Sequence, residues 1–83
     1  MLRQLLLLAI ATLYYLPYCP YSRQVLTHLE GAPHPLIMKD LSVDIDAREE
    51  LLNKGGEARV PCLISNSKAI YGAQAIIDWL DTH

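Results

Sequence analysis

One group of residues in this chain is arranged for covalent chemistry, the tetrad Cys19-Pro20-Tyr21-Ser22. An apolar run, Leu13-Tyr14-Tyr15-Leu16, leads into it and an amphipathic pattern follows, so the thiol falls where a strand passes into a helix. With Cys19 as N-cap and Pro20 as the first helical residue, the unpaired N–H groups of the first turn face the sulfur. These donors and the helix dipole favour the thiolate. A thiol whose free pKa is about 8.5 falls in such surroundings to between about 3.5 and 7.5, and the thiolate is the form that attacks disulfides. Ser22 stands where a second cysteine would complete a C-x-x-C pair, so the tetrad supports one-thiol chemistry.

The elements that must position this thiol can be read from apolar periodicity. Residues 12 to 16 read as a buried central strand. A helix follows from Pro20 to about Glu30, with Ser22, Val25, Leu26 and Leu29 on one face, and Gly31 stops it. Leu36 to Leu41 form a second short strand after a loop with two prolines. Asp46-Ala47-Arg48-Glu49 reads as an N-terminal capping pair for a second helix, buried through Leu51 and Leu52 and ended by Gly55-Gly56. Val60 to Ser65 and Lys68 to Tyr71 form a hairpin around the two-residue turn Asn66-Ser67. Ala73, Ile76, Ile77 and Leu80 give a last helix its buried face. The order of elements is βαβ, helix, ββα.

Composition narrows the function classes. The 83 residues make one domain, read here as residues 12–83 behind an apolar lead-in, residues 1–11. A net charge of −2 with no Lys or Arg run offers nothing to nucleic acid. Two cysteines, Cys19 and Cys62, are too few for a disulfide scaffold, and no zinc-type spacing occurs, so no metal is expected and a reducing, cytoplasmic setting is the simpler assumption. His28, His34 and His83 read as solvated surface. From Leu5 to Leu16 only Thr12 is polar. This stretch is shorter than the roughly 20 residues of a membrane-spanning helix. Its first part imitates a short secretory signal, and it either packs on the domain or touches a membrane as an interfacial segment.

The run from Leu13 to Ser22 resembles the strand-to-helix active site of the glutaredoxins, small thioredoxin-fold proteins that use glutathione, in a monothiol version. Val60-Pro61 is similar to the cis-proline dipeptide shared by glutaredoxins and the N-terminal domains of glutathione transferases. Tyr71-Gly72-Ala73-Gln74-Ala75-Ile76-Ile77 resembles the segment that leads into the last helix of the same families. The resemblance implies a thioredoxin-like α/β fold, a four-stranded mixed sheet flanked by about three helices. It also implies a cis bond at Val60-Pro61, with the Val60 backbone pairing with the cysteinyl part of glutathione like an added strand. Tyr21 would shape the groove, and the start of the last helix, at Ala73 and Gln74, would hold the γ-glutamyl end. The usual polar side chains there are replaced by Gly72 and Ala73, and Leu16 stands where a basic residue often precedes the cysteine. Arg59 and Arg23 are candidates to hold the thiolate or the glycyl carboxylate.

The function so implied is glutathione-dependent thiol-disulfide exchange, with Cys19 removing glutathione from glutathionylated or disulfide-containing proteins as a monomer. Two rivals stand beside it. One is a thioredoxin-fold binding module with little catalysis. The other is an iron-sulfur carrier ligated by Cys19 and glutathione. Cys62 is either a second, resolving thiol for Cys19 or a small buried hydrophobe.

Overall fold

The computed structural model describes residues 11–83. The expected lead-in, with its packed, membrane-touching and signal-like alternatives, falls almost wholly on residues 1–10 and lies outside the described residues. The elements are β1 (Ala11–Tyr15), α1 (Pro20–Gly31), β2 (Leu36–Asp40), α2 (Ala47–Gly55), β3 (Cys62–Ser65), β4 (Lys68–Tyr71) and α3 (Ala73–Thr82). They build a four-stranded mixed sheet in the order β2-β1-β3-β4, a thioredoxin-like α/β fold. β1 runs parallel to β2, with Ala11 opposite Leu36, and antiparallel to β3, with Tyr14 opposite Cys62.

β1 is central and covered on both faces, so Leu13 and Tyr14 are both fully buried although they point to opposite sides. On one side Leu13, Leu63, Val25, Ile76 and Leu80 join α1 and α3 to the sheet. On the other, Tyr14, Cys62, Ala47 and Leu51 seat α2. The Tyr14 hydroxyl donates to Glu50 Oε1 at 3.1 Å. Burial first, and then this carboxylate, push the phenol up to about 12, so Tyr14 remains a neutral donor.

Several boundaries differ from the sequence expectation. β1 starts one residue earlier, at Ala11, which is buried against Leu36. Gly31 does not stop α1 but is its last residue. The helix ends at Ala32, whose place before Pro33 disfavours helical backbone and whose φ is −143°. Asp46 precedes α2 without a side-chain capping bond, because its own backbone is already helical. The buried side of α2 is Ala47 and Leu51, one turn apart, and Leu52 is half exposed. β2 ends at Asp40, and β3 begins only at Cys62, since Val60 and Pro61 stand outside the ladder. The hairpin turn is as short as expected, with Asn66 and Ser67 at φ 50° and 64°, the pair of positive values that a two-residue turn between twisted strands requires.

Candidate functional site

Three chain segments meet at one end of the sheet. β1 delivers the loop that carries Cys19. The pairing of Tyr14 with Cys62 puts Pro61 at the same end, one position beyond. Pro61 O accepts the Gly72 N–H at 3.3 Å, which fastens the β4–α3 junction to the proline. The Val60-Pro61 peptide bond is cis.

Cys19 is the N-cap of α1, with extended backbone (φ −73°, ψ 126°) and Pro20 behind it. Its N–H donates to Leu16 O at 3.1 Å, a tight turn that holds the residue at the helix mouth. The thiol is half-buried and lies below its ordinary pKa. The main cause is the Ser22 N–H, opposed by partial burial and reinforced by the Tyr21 N–H and the Ser22 hydroxyl. Among the described residues no cationic side chain contributes to this shift. Ser22 is fully buried, and its hydroxyl oxygen accepts the Leu16 N–H at 3.2 Å.

Beside the thiol runs a groove of about 580 Å³ lined by Tyr21 and Gln24 of α1, Arg59, Val60 and Pro61 of the loop before β3, and the stretch from Tyr71 to Ala75. Cys19 itself is not part of this wall; Tyr21, whose N–H is directed at the Cys19 sulfur, is. The expected site residues Tyr21, Arg59, Val60, Pro61, Ala73 and Gln74 therefore line a single groove, whereas Arg23 is exposed outside it. Gln24 and Tyr71 were missed. Gln24 could have been found three residues after Tyr21, on the same helical face, and Tyr71 through its cross-strand pairing with Cys62. Gly72 and Ala73 bring no polar side chain to the start of α3, and Gln74 Nε2 donates to Asp78 Oδ1 at 2.9 Å. A larger hollow of about 720 Å³, lined by His34, Leu36, Lys68 and Trp79 among others, lies at the opposite end of the sheet, away from any thiol.

Cys62 does not line the groove. Its side chain is fully buried in the α2-side cluster, whereas α1 packs on the other face, and both cysteines are free thiols. Burial pushes the Cys62 thiol up, only partly offset by the Tyr71 hydroxyl. That is the behaviour of a small core residue.

The model of the family described as glutathione S-transferase, N-terminal domain, matches residues 13–83. The chain belongs to that family. Among solved structures it is similar to the glutathione S-transferase from Drosophila melanogaster, isozyme E7, with 27% identity and a TM-score of 0.62 over 87% of this chain. The match covers 34% of that transferase, so the chain spans about a third of its length. No curated protein matches. The family match falls on the transferase side of the resemblance drawn from the sequence. Among the described residues of this glutathione S-transferase N-terminal domain, no helix is long and apolar enough to cross a membrane, and no cluster of His, Cys, Asp and Glu has the arrangement of a metal site.

Proposed function

We propose that residues 12–83 form a glutathione-binding domain that carries out thiol-disulfide exchange through Cys19 by a monothiol route. The observation that carries this reading is the half-buried Cys19 sulfur at the mouth of α1, with the Tyr21 and Ser22 N–H groups directed at it. The Cys19 thiolate attacks the glutathionyl sulfur of a mixed disulfide. The sulfur-sulfur bond to the protein substrate breaks, that protein leaves as a thiolate, and Cys19 holds glutathione as a new mixed disulfide. A second glutathione thiolate attacks this disulfide, releasing oxidised glutathione and restoring Cys19. Ser22 has no sulfur and cannot resolve the intermediate, so every turnover consumes glutathione.

Tyr21, Val60 and Pro61 line up the tripeptide, Arg59 meets a carboxylate, and the backbone N–H groups of Ala73 and Gln74 face the γ-glutamyl end. The reading places the domain in a reducing, cytoplasmic setting as a monomer. A glutathione-coupled assay on a small glutathionylated disulfide tests it. Wild-type protein turns over, and Cys19→Ser loses at least about a hundredfold, as expected when the nucleophile is removed. Equal rates for the two proteins would reject the reading. The bare start of α3, with Gly72 and Ala73, favours a second reading, a binding module with weak catalysis. Measurable glutathione affinity without Cys19-dependent turnover would select it.

A further inference from the structure

We infer that Tyr71 is a positioning residue of the groove, a clamp that sets where Arg59 presents its guanidinium to a ligand carboxylate. The inference rests on the reading that the groove takes glutathione. The loop from Gly56 to Pro61 has no ladder of its own, so its backbone groups need partners from elsewhere. One oxygen supplies two of them. The Tyr71 hydroxyl donates to Glu57 O at 2.7 Å and accepts the Glu57 N–H at 3.2 Å. Glu57 then fixes the next charged residue, its Oε1 accepting from Arg59 Nε at 3.2 Å. The Arg59 guanidinium lies over the Tyr71 ring, 4.7 Å from its centroid, a cation–π contact.

The ring is held in turn by the antiparallel pairing of Tyr71 with Cys62, and a side chain at Gly55 would meet the hydroxyl. Arg59 is the one charged side chain among the described residues that line the groove. A single phenol therefore fixes both the backbone that precedes Val60 and the one cation among the described residues that line the groove. The clamp acts through Arg59 and leaves the thiol alone, because the donors at Cys19 all belong to α1.

Tyr71→Phe removes the hydroxyl and keeps the ring, and S-methylglutathione serves as a ligand without a free thiol. Two readouts decide: the concentration of S-methylglutathione that half-protects Cys19 from alkylation, and the exchange rate of the Glu57 amide hydrogen. Tyr71→Phe should raise the half-protecting concentration about fivefold to tenfold, the scale of one lost hydrogen bond. It should also speed Glu57 exchange about tenfold and leave the pH midpoint of Cys19 alkylation in place. Arg59→Ala should reproduce the loss of protection. Unchanged Glu57 exchange, unchanged protection beside a protected wild type, or a shifted Cys19 midpoint would overturn the inference. Faster Glu57 exchange in a protein whose wild type is not protected at all would uphold the clamp and defeat the glutathione reading instead.

Discussion

At the scale of single residues, Ser22 carries more than its place in the tetrad suggests. It is fully buried, ties the strand exit to the helix through the Leu16 N–H at 3.2 Å, and offers both its own N–H and its hydroxyl to Cys19. Ser22→Ala leaves the part-buried Leu16 N–H without its partner, which costs about 1 kcal/mol. Urea unfolding measures that loss. Cys19 lies below its unfolded-state pKa, so its ionisation stabilises the fold above the unfolded value and the gain disappears as pH falls through the folded value. Removing the Ser22 hydroxyl shrinks that shift, and the pH midpoint of Cys19 alkylation moves up in the variant. The placing of Cys19 at a helix mouth was legible in the sequence because an N-cap cysteine before Pro20 is a local pattern. The bond from Ser22 back to Leu16 was not, since it depends on how a non-periodic turn closes. Tyr71 was hidden for a related reason: its partners, Glu57 and Arg59, approach only when the hairpin folds back.

At the scale of elements, the apolar patterns and turn residues specified each helix and strand of the described residues, and the differences lie at ends where backbone chemistry outweighs composition. Gly31 remains helical because Pro33, not glycine, ends α1. Gly56, at φ 90° and with its N–H on Leu52 O at 2.9 Å, takes the left-handed cap of α2. Gly55 has a different task, since it leaves room for the Tyr71 hydroxyl against the last turn of α2. Gly55→Ala forces that hydroxyl off Glu57 and costs about 1–3 kcal/mol despite the better helix former. Thermal unfolding of the variant shows a lower midpoint, whereas the same change at an open helical position would raise it. Leu52 was assigned to the core because it is apolar and next to Leu51. It is half exposed because α2 covers the sheet with one narrow stripe, Ala47 and Leu51.

At the scale of the whole molecule, the sheet divides the interior into two apolar clusters that share β1 and β3. Neither can persist alone, because Leu13 and Tyr14, or Leu63 and Cys62, are neighbours along the same strand facing opposite ways. Ile76→Ala in the α1/α3 cluster therefore costs about 2–5 kcal/mol and melts both sides together. Fluorescence of Trp79, the single tryptophan, which packs on that cluster, should trace the same denaturant curve as far-ultraviolet circular dichroism. Separate curves would mean that α2 unfolds independently.

The same partition sorts the sulfur atoms. Cys19 stands at an open doorway, while Cys62 is sealed under α2. An oxidant or an electrophile meeting the native protein can spend itself on one thiol alone, and a second adduct on the same molecule records that it has come unfolded.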